Sequence, residues 1–277
     1  MLLYRTQRGV VADPDADGDR FVQLAESWDS LIATPGLPGR LAGLVAQGTA
    51  LDGFDPAEAL VPLVSQEVWA AGVTYYRSRD ARMAESEQAG GDSFYDRVYT
   101  APRPELFFKG SARTAVGSGG QIAIRSDAGW NVPEPELVLL ADSSGALIGC
   151  TIGNDVSSRD IEGENPLYLP QAKVYDASCA LGPALLVGAE PLPASTSINL
   201  EIRRGGAAVF TGTTTLAELK RTPEELLRYL YLDNSFPHGC YLMTGTGIVP
   251  PDGFTLTSGD TVSITIPPIG TLTNQVR

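Results

Sequence analysis

Histidine is almost absent from this chain. His238 is the one imidazole in 277 residues, which excludes any mechanism that needs a histidine pair or a histidine-rich metal centre. Cysteine is nearly as scarce. Cys150, Cys179 and Cys240 are odd in number and have no metal-binding spacing. Each sits among small or apolar residues and reads as a buried thiol of a cytoplasmic protein. No apolar run approaches the roughly 18 residues of a membrane span, and Met1 opens no charged, apolar, small-residue leader. Basic residues are also short: 20 Lys and Arg stand against 33 Asp and Glu, a net charge of −13. That balance argues against non-specific nucleic-acid binding and against an anionic membrane as partner. Solubility alone would also account for it. There is no internal repeat.

What is present points to a β-rich α+β protein, because short strands outnumber helices. A chain of 277 residues can bury a large core without staples. One catalytic domain with a small extra unit is the expected organisation. Residues 1–60 read as that small N-terminal domain and 61–277 as the catalytic domain. In the first, residues 1–5 suggest a strand, 21–32 and 41–47 suggest short amphipathic helices, and 52–60 a linker. Asp13-Pro14-Asp15-Ala16-Asp17-Gly18 resembles the front of an EF-hand loop. The twelfth position is Leu24 rather than Glu, so the stretch is read as a turn.

The chemistry concentrates between residues 132 and 177. Glu134 and Glu136 stand two apart at the entry to Leu137-Val138-Leu139-Leu140, which reads as a buried strand. On a strand, residues i and i+2 share a face. Two carboxylates so close, beside apolar surface, need a proton or a cation between them. Pro135 faces the other way and has no backbone donor, which suits a strand start. An oxygen-only pair suits Mg²⁺, Mn²⁺ or Ca²⁺ rather than zinc. Asp155, after a second apolar stretch at 145–152, is the natural third ligand. Lys173 follows on the next segment; beside a metal and an arginine its pKa would fall, making it a candidate general base. Spacing alone fits equally well a solvated edge strand and a surface lysine.

Other segments offer partners for a substrate. An apolar strand at 68–76 runs into Arg77, Arg79 and Arg82, which fit either a carboxylate clamp or a solvated helix face paired with Glu85 and Glu87. Gly90-Gly91 and its neighbours read as a hinged lid over residues 77–103, or as a plain surface loop. Glu105 precedes Leu106-Phe107-Phe108 and reads by default as a strand-end charge; buried near the metal it would serve as an acid or base. Residues 161–166 are expected to be a loop. Thr222-Pro223-Glu224-Glu225 is a helix start, with a Thr cap, Pro at N1 and acidic residues in the first turn. The glycine-spaced loop at 244–250 could hold a carboxylate with backbone amides and the Thr246 hydroxyl.

Taken together and in this order, Glu134-Pro135-Glu136, Asn154-Asp155-Val156-Ser157-Ser158-Arg159-Asp160 and Lys173 resemble the core of the fumarylacetoacetate hydrolase superfamily. The likeness runs from Gln66 to the C-terminus. It implies a β-roll catalytic domain, a homodimer, a divalent ion on Glu134, Glu136 and Asp155, and Lys173 beside it. It also implies substrate contacts from Tyr75, Arg77, Ser78, Arg79, Lys109, Ser111, Arg159 and Thr246. The family often has a glutamine at the position of Glu162. Hydrolytic members carry Asn-Tyr-x-Asp-His, or a close variant, at the entrance; here Thr74-Tyr75-Tyr76-Arg77-Ser78 puts Ser78 in the histidine position. That variant looks like the branch containing 2-keto-3-deoxy-pentonate dehydratases. The expected reaction is therefore metal-dependent dehydration of a 2-keto-3-deoxy sugar acid to 2,5-dioxopentanoate, with Lys173 as base and Glu105 or a water as acid. The alternative is a hydrolase or isomerase of acylpyruvate-like or 2-hydroxy-dienoic diacids.

Overall fold

The computed structural model describes residues 1–75 and 98–277. Arg77, Ser78, Arg79 and most of the expected lid lie outside the described residues. Among those described, an eleven-stranded sheet carries the fold. Its order begins with four N-terminal strands, Thr49–Leu51, Phe21–Leu24, Gly9–Asp13 and Leu2–Thr6. It continues through Cys179–Val187, Leu147–Asp155, Pro135–Ala141, Cys240–Met243, Glu67–Gly72 and Glu105–Ser111. Ala115–Val116 pairs beside Cys179–Val187, off this path. A second, five-stranded sheet runs Ala207–Thr215, Ser197–Arg204, Thr261–Ile266, Gly270–Val276 and Gln121–Ile122. The protein is thus the β-rich α+β fold that its pattern predicts.

The strand Pro135–Ala141 explains why the sequence reads as it does. It lies between two hydrogen-bonded neighbours and is buried at every residue. Leu137, Leu139 and Ala141 pack with Ile198, Leu200, Ile202 and Ile264 of the second sheet. Val138 and Leu140 pack with Leu31, Ile32, Leu37 and Leu41 of the N-terminal helices. A strand covered on both faces needs apolar residues at consecutive positions rather than alternate ones.

The helices Trp28–Ala33 and Leu37–Gln47 supply that second cover. Residues 21–32 do not form the single helix expected of them. Phe21–Leu24 is a strand paired with both Gly9–Asp13 and Thr49–Leu51, and the helix starts only after the Ser27 cap, which accepts from the Ser30 amide at 3.3 Å. Phe21, Val22 and Leu24 are good strand formers once two partners are present. The sheet is continuous across residue 60, because Leu2 and Leu3 pair with Leu186 and Leu185. Of residues 161–166, expected as a loop, 161–164 instead belong to a short helix, Arg159–Glu164. The helix Pro223–Leu230 starts as expected, with the Glu225 amide donating to Thr222 Oγ1 at 3.2 Å, and buries Leu226, Leu227 and Leu230.

Candidate metal centre and active site

Sheet register assembles the carboxylates. In the antiparallel pairing of Pro135–Ala141 with Leu147–Asp155, Glu136 lies opposite Gly153, and the Asp155 amide donates to the Glu134 carbonyl at 2.9 Å. Gly153 has no side chain to fill the space opposite Glu136; a Cβ there would collide with Val138. Glu134, Glu136 and Asp155 therefore converge, with one ligand atom from each within 4.8 Å of the others. All three are buried. Burial first, then the Asp155 and Glu134 charges, push the Glu136 carboxyl well above the usual carboxylate range. Three buried oxygen donors with no nitrogen or sulfur among them fit a hard divalent cation.

Three cations from three other segments close on this trio. Lys173 Nζ lies 2.7 Å from Glu134 Oε2, 3.1 Å from Asp155 Oδ2 and 2.6 Å from Ser157 Oγ. Arg159 Nη2 donates to Glu134 Oε1 at 2.8 Å. Lys109 Nζ is 2.6 Å from Asp155 Oδ1 and also donates to the carbonyls of Val156 and Lys173. Glu162 touches two of these cations, 3.3 Å from Lys173 Nζ and 3.8 Å from Arg159 Nε. Ions this deeply buried are tolerated only because each finds a partner.

The cavity above the trio is lined by Ala71, Gly72, Val73, Phe107, Arg159, Lys173, Gly245 and Thr246, with Glu134 and Asp155 at its floor. Its rim carries unusual backbone. Val73 has φ 54, a left-handed conformation that costs a β-branched residue free energy and is found most often at functional sites. Gly245 has φ +90, and any Cβ there would collide with the Thr74 hydroxyl. That hydroxyl donates to the Thr244 carbonyl at 2.6 Å. Held in this way, the Gly245 amide donates to Glu136 Oε2 at 2.5 Å. Tyr75 packs beside Gly247, and burial, then Glu136 and Glu218, raise its phenol pKa. Glu105, half-buried, pairs with Gly72 in register, and its carboxyl fills the space that a Gly72 side chain would take.

The structure brings Glu134, Asp155, Lys173, Arg159 and Thr246 to one cavity, clusters Glu136 with Glu134 and Asp155, and sets Glu105 against the Gly72 wall. It does not bring Ser111 there: that residue pairs with Glu67, at the opposite end of the strand that presents Gly72. Lys109 lies beside the trio, its ammonium engaged by Asp155 and two carbonyls. His238 lies at the far end of the same strands, its carbonyl accepting from Gln66 Nε2 at 3.1 Å. Ser157, Glu162 and Phe107 were missed. The spacing of Arg159 and Glu162 at i and i+3 would have exposed Glu162, had 159–164 been read as a helix.

The chain is similar to several known proteins. Residues 80–277 match the family described as "Fumarylacetoacetate (FAA) hydrolase C-terminal". A probable 2-keto-3-deoxyxylonate dehydratase of Haloferax volcanii is 45% identical over 226 residues, 81% of this chain and 77% of that protein. A 2-dehydro-3-deoxy-D-arabinonate dehydratase of Saccharolobus solfataricus is 45% identical over 219 residues, 78% of this chain and 73% of that one. A solved 2-keto-3-deoxy-D-arabinonate dehydratase, complexed with magnesium and 2,5-dioxopentanoate, superposes with a TM-score of 0.86 at 35% identity, covering 100% of this chain and 99% of its own.

Proposed function

Since the chain belongs to the fumarylacetoacetate hydrolase family, we propose that it is a magnesium-dependent hydro-lyase converting a 2-keto-3-deoxy-pentonate to 2,5-dioxopentanoate. The observation that carries this reading is the buried Glu134–Glu136–Asp155 trio with the Lys173 amine against two of its members. A divalent ion held by the trio would polarise a 2-keto acid as a Lewis acid and acidify its C3–H.

The chain's own groups do the rest. Lys173 reaches the cavity and takes the C3 proton as general base; Ser157 and Glu162 hold its amine in place. The Gly245–Thr246 turn and Arg159 hold the acid end of the substrate. Glu105, set against Gly72 at the wall, donates a proton to the departing C4 hydroxyl. Loss of that proton and hydroxyl as water leaves a 3,4-double bond. The protonated Lys173 is placed to return a proton to C3 while the Glu105 carboxylate takes one from C5, which gives the C4–C5 enol; transfer of the enol O–H proton to C4 then yields the second carbonyl. Arg77, Ser78 and Arg79 would contact the polar tail. The homodimer and the cytoplasmic location are part of the same proposal; free buried thiols at Cys150, Cys179 and Cys240 support a reducing compartment.

The hydrolytic alternative needs a base at the entrance, where this chain has Ser78, and His238 lies at the wrong end of the strands to replace it. The test is to supply purified protein and Mg²⁺ with 2-keto-3-deoxy-pentonate isomers, coupling the product to a semialdehyde dehydrogenase. Pyruvate release from an acylpyruvate is followed in parallel. Dioxopentanoate is expected, with slow pyruvate release. Lys173→Ala should keep metal and bind pyruvate while turnover falls about 10²–10⁴-fold. Fast pyruvate release with no dioxopentanoate from any isomer would hand the assignment to the hydrolase.

A further inference from the structure

The Thr244–Gly245 peptide bridges the carboxylate trio and the turn proposed to hold the substrate's acid end. At one side the Gly245 amide donates to Glu136 Oε2 at 2.5 Å. At the other the Thr244 carbonyl accepts from Thr74 Oγ1 at 2.6 Å. Thr246, the next residue, lines the cavity. We infer that Thr74 is a positioning residue. Its hydroxyl latches this one peptide, and through it orients both the Glu136 carboxylate and the Thr246 turn. The inference rests on the reading above, that Glu136 helps to hold a divalent ion and that the Gly245–Thr246 turn meets a 2-keto acid.

A peptide unit is planar and trans, so its carbonyl and its amide point in opposite directions. Holding the Thr244 carbonyl therefore aims the Gly245 amide. A hold is needed here because the amide belongs to a glycine. Gly245 sits at φ +90, and without a Cβ it reaches other backbone conformations at little cost. Any of these would turn the amide away from Glu136. A side chain at 245 cannot supply the restraint, since a Cβ there would collide with the Thr74 hydroxyl. The glycine and the hydroxyl are a matched pair: the space that one leaves is where the other sits.

Both partners of the latch are anchored. Thr74 is fully buried, and its carbonyl accepts from the Lys220 amide at 3.0 Å. Val73 before it is left-handed at φ 54, and Tyr75 after it bridges to Leu219. Thr244 donates to the Leu137 carbonyl twice, from its amide at 3.0 Å and its hydroxyl at 2.9 Å. Leu137 follows Glu136 on the strand Pro135–Ala141. The latch thus joins three segments far apart in the chain: 73–75, the end of Cys240–Met243 and the strand that carries Glu136. With its proton committed to the Thr244 carbonyl, Thr74 acts through the peptide.

The test measures two dissociation constants by calorimetry on the full-length protein: for Mg²⁺ alone, and for pyruvate at saturating Mg²⁺. Both are measured on wild type first; the absence of either binding event would refute the reading of the cavity itself, whatever Thr74 does. Given both, Thr74→Val keeps the shape of the side chain and removes its hydroxyl. It should weaken Mg²⁺ binding about tenfold, the lower end of what an outer partner of a metal ligand contributes. Pyruvate binding should weaken severalfold in the same variant, and Thr74→Ser should restore both. A packing role alone would lower the melting temperature and leave both constants unchanged. The inference is overturned if either constant is unchanged in Thr74→Val, or if Thr74→Ser fails to restore them. Thr74→Ala takes the place of the Val variant if that one does not fold; if neither folds, the hydroxyl serves stability and the inference is overturned as well.

Discussion

Two acidic clusters in this chain look alike as text and differ in everything physical. Residues 13–19 hold Asp13, Asp15, Asp17 and Asp19; residues 134–155 hold Glu134, Glu136 and Asp155. In the first, Asp13 accepts from the Ala16 and Gly18 amides at 2.8 and 3.0 Å, and Asp17 from the Asp19 amide at 3.0 Å. Its other carboxylates are exposed. The charges are served by their own backbone and by water, as in any Asx turn. In the second, paired strands commit the backbone amides to the sheet, and the carboxylates face one another from buried positions. Their partners come from afar: Lys109, Arg159, Lys173 and the Gly245 amide. A carboxylate cluster becomes a candidate ion site when its local backbone cannot satisfy it and water is kept out.

The sharpest way to break this comparison is Glu136→Gln. Bound divalent ion and activity should disappear together, by more than the roughly 10–100-fold that losing an outer-shell partner costs. Metal analysis of the purified variant checks it; unchanged metal content would move the site elsewhere. Next is Lys109→Met, which leaves Asp155 without its 2.6 Å partner. Breaking a buried pair from one side should cost about 3–5 kcal/mol of stability. Saturating Mg²⁺ should recover part of that loss, because it gives Asp155 another counter-charge. Thermal melts with and without Mg²⁺ read both effects, and a loss that Mg²⁺ does not touch would detach Lys109 from the metal site. The smallest effect belongs to the other cluster. Asp13→Ala should cost about 1–2 kcal/mol for two turn hydrogen bonds, with metal content and turnover unchanged. A change in metal stoichiometry there would erase the distinction between the two clusters.

Much of the site was legible because its signals are local. Glu134 and Glu136 share a face by strand periodicity, Pro135 marks the strand start, and the apolar run that follows marks burial. The cap at Thr222 is likewise a matter of neighbouring residues. The parts that were misread depend on pairing. Phe21–Leu24 is a strand because two other strands flank it, and no periodicity within 21–32 carries that information.

By itself, then, the sequence determined the β-rich class, the same-face pair of glutamates and the presence of Ser78, not a histidine, at the position of the hydrolytic entrance. Only the tertiary structure decided that Lys109 pairs with Asp155, that Ser111 and His238 stand at the far end of their strands, and that Glu162 joins the charge cluster. The reason is distance along the chain: 46 positions separate Lys109 from Asp155 and 28 separate Glu134 from Glu162. Pairings at that range are set by sheet register and by packing against the second sheet and the N-terminal helices. Which charges neutralise one another in a buried site follows from that assembly.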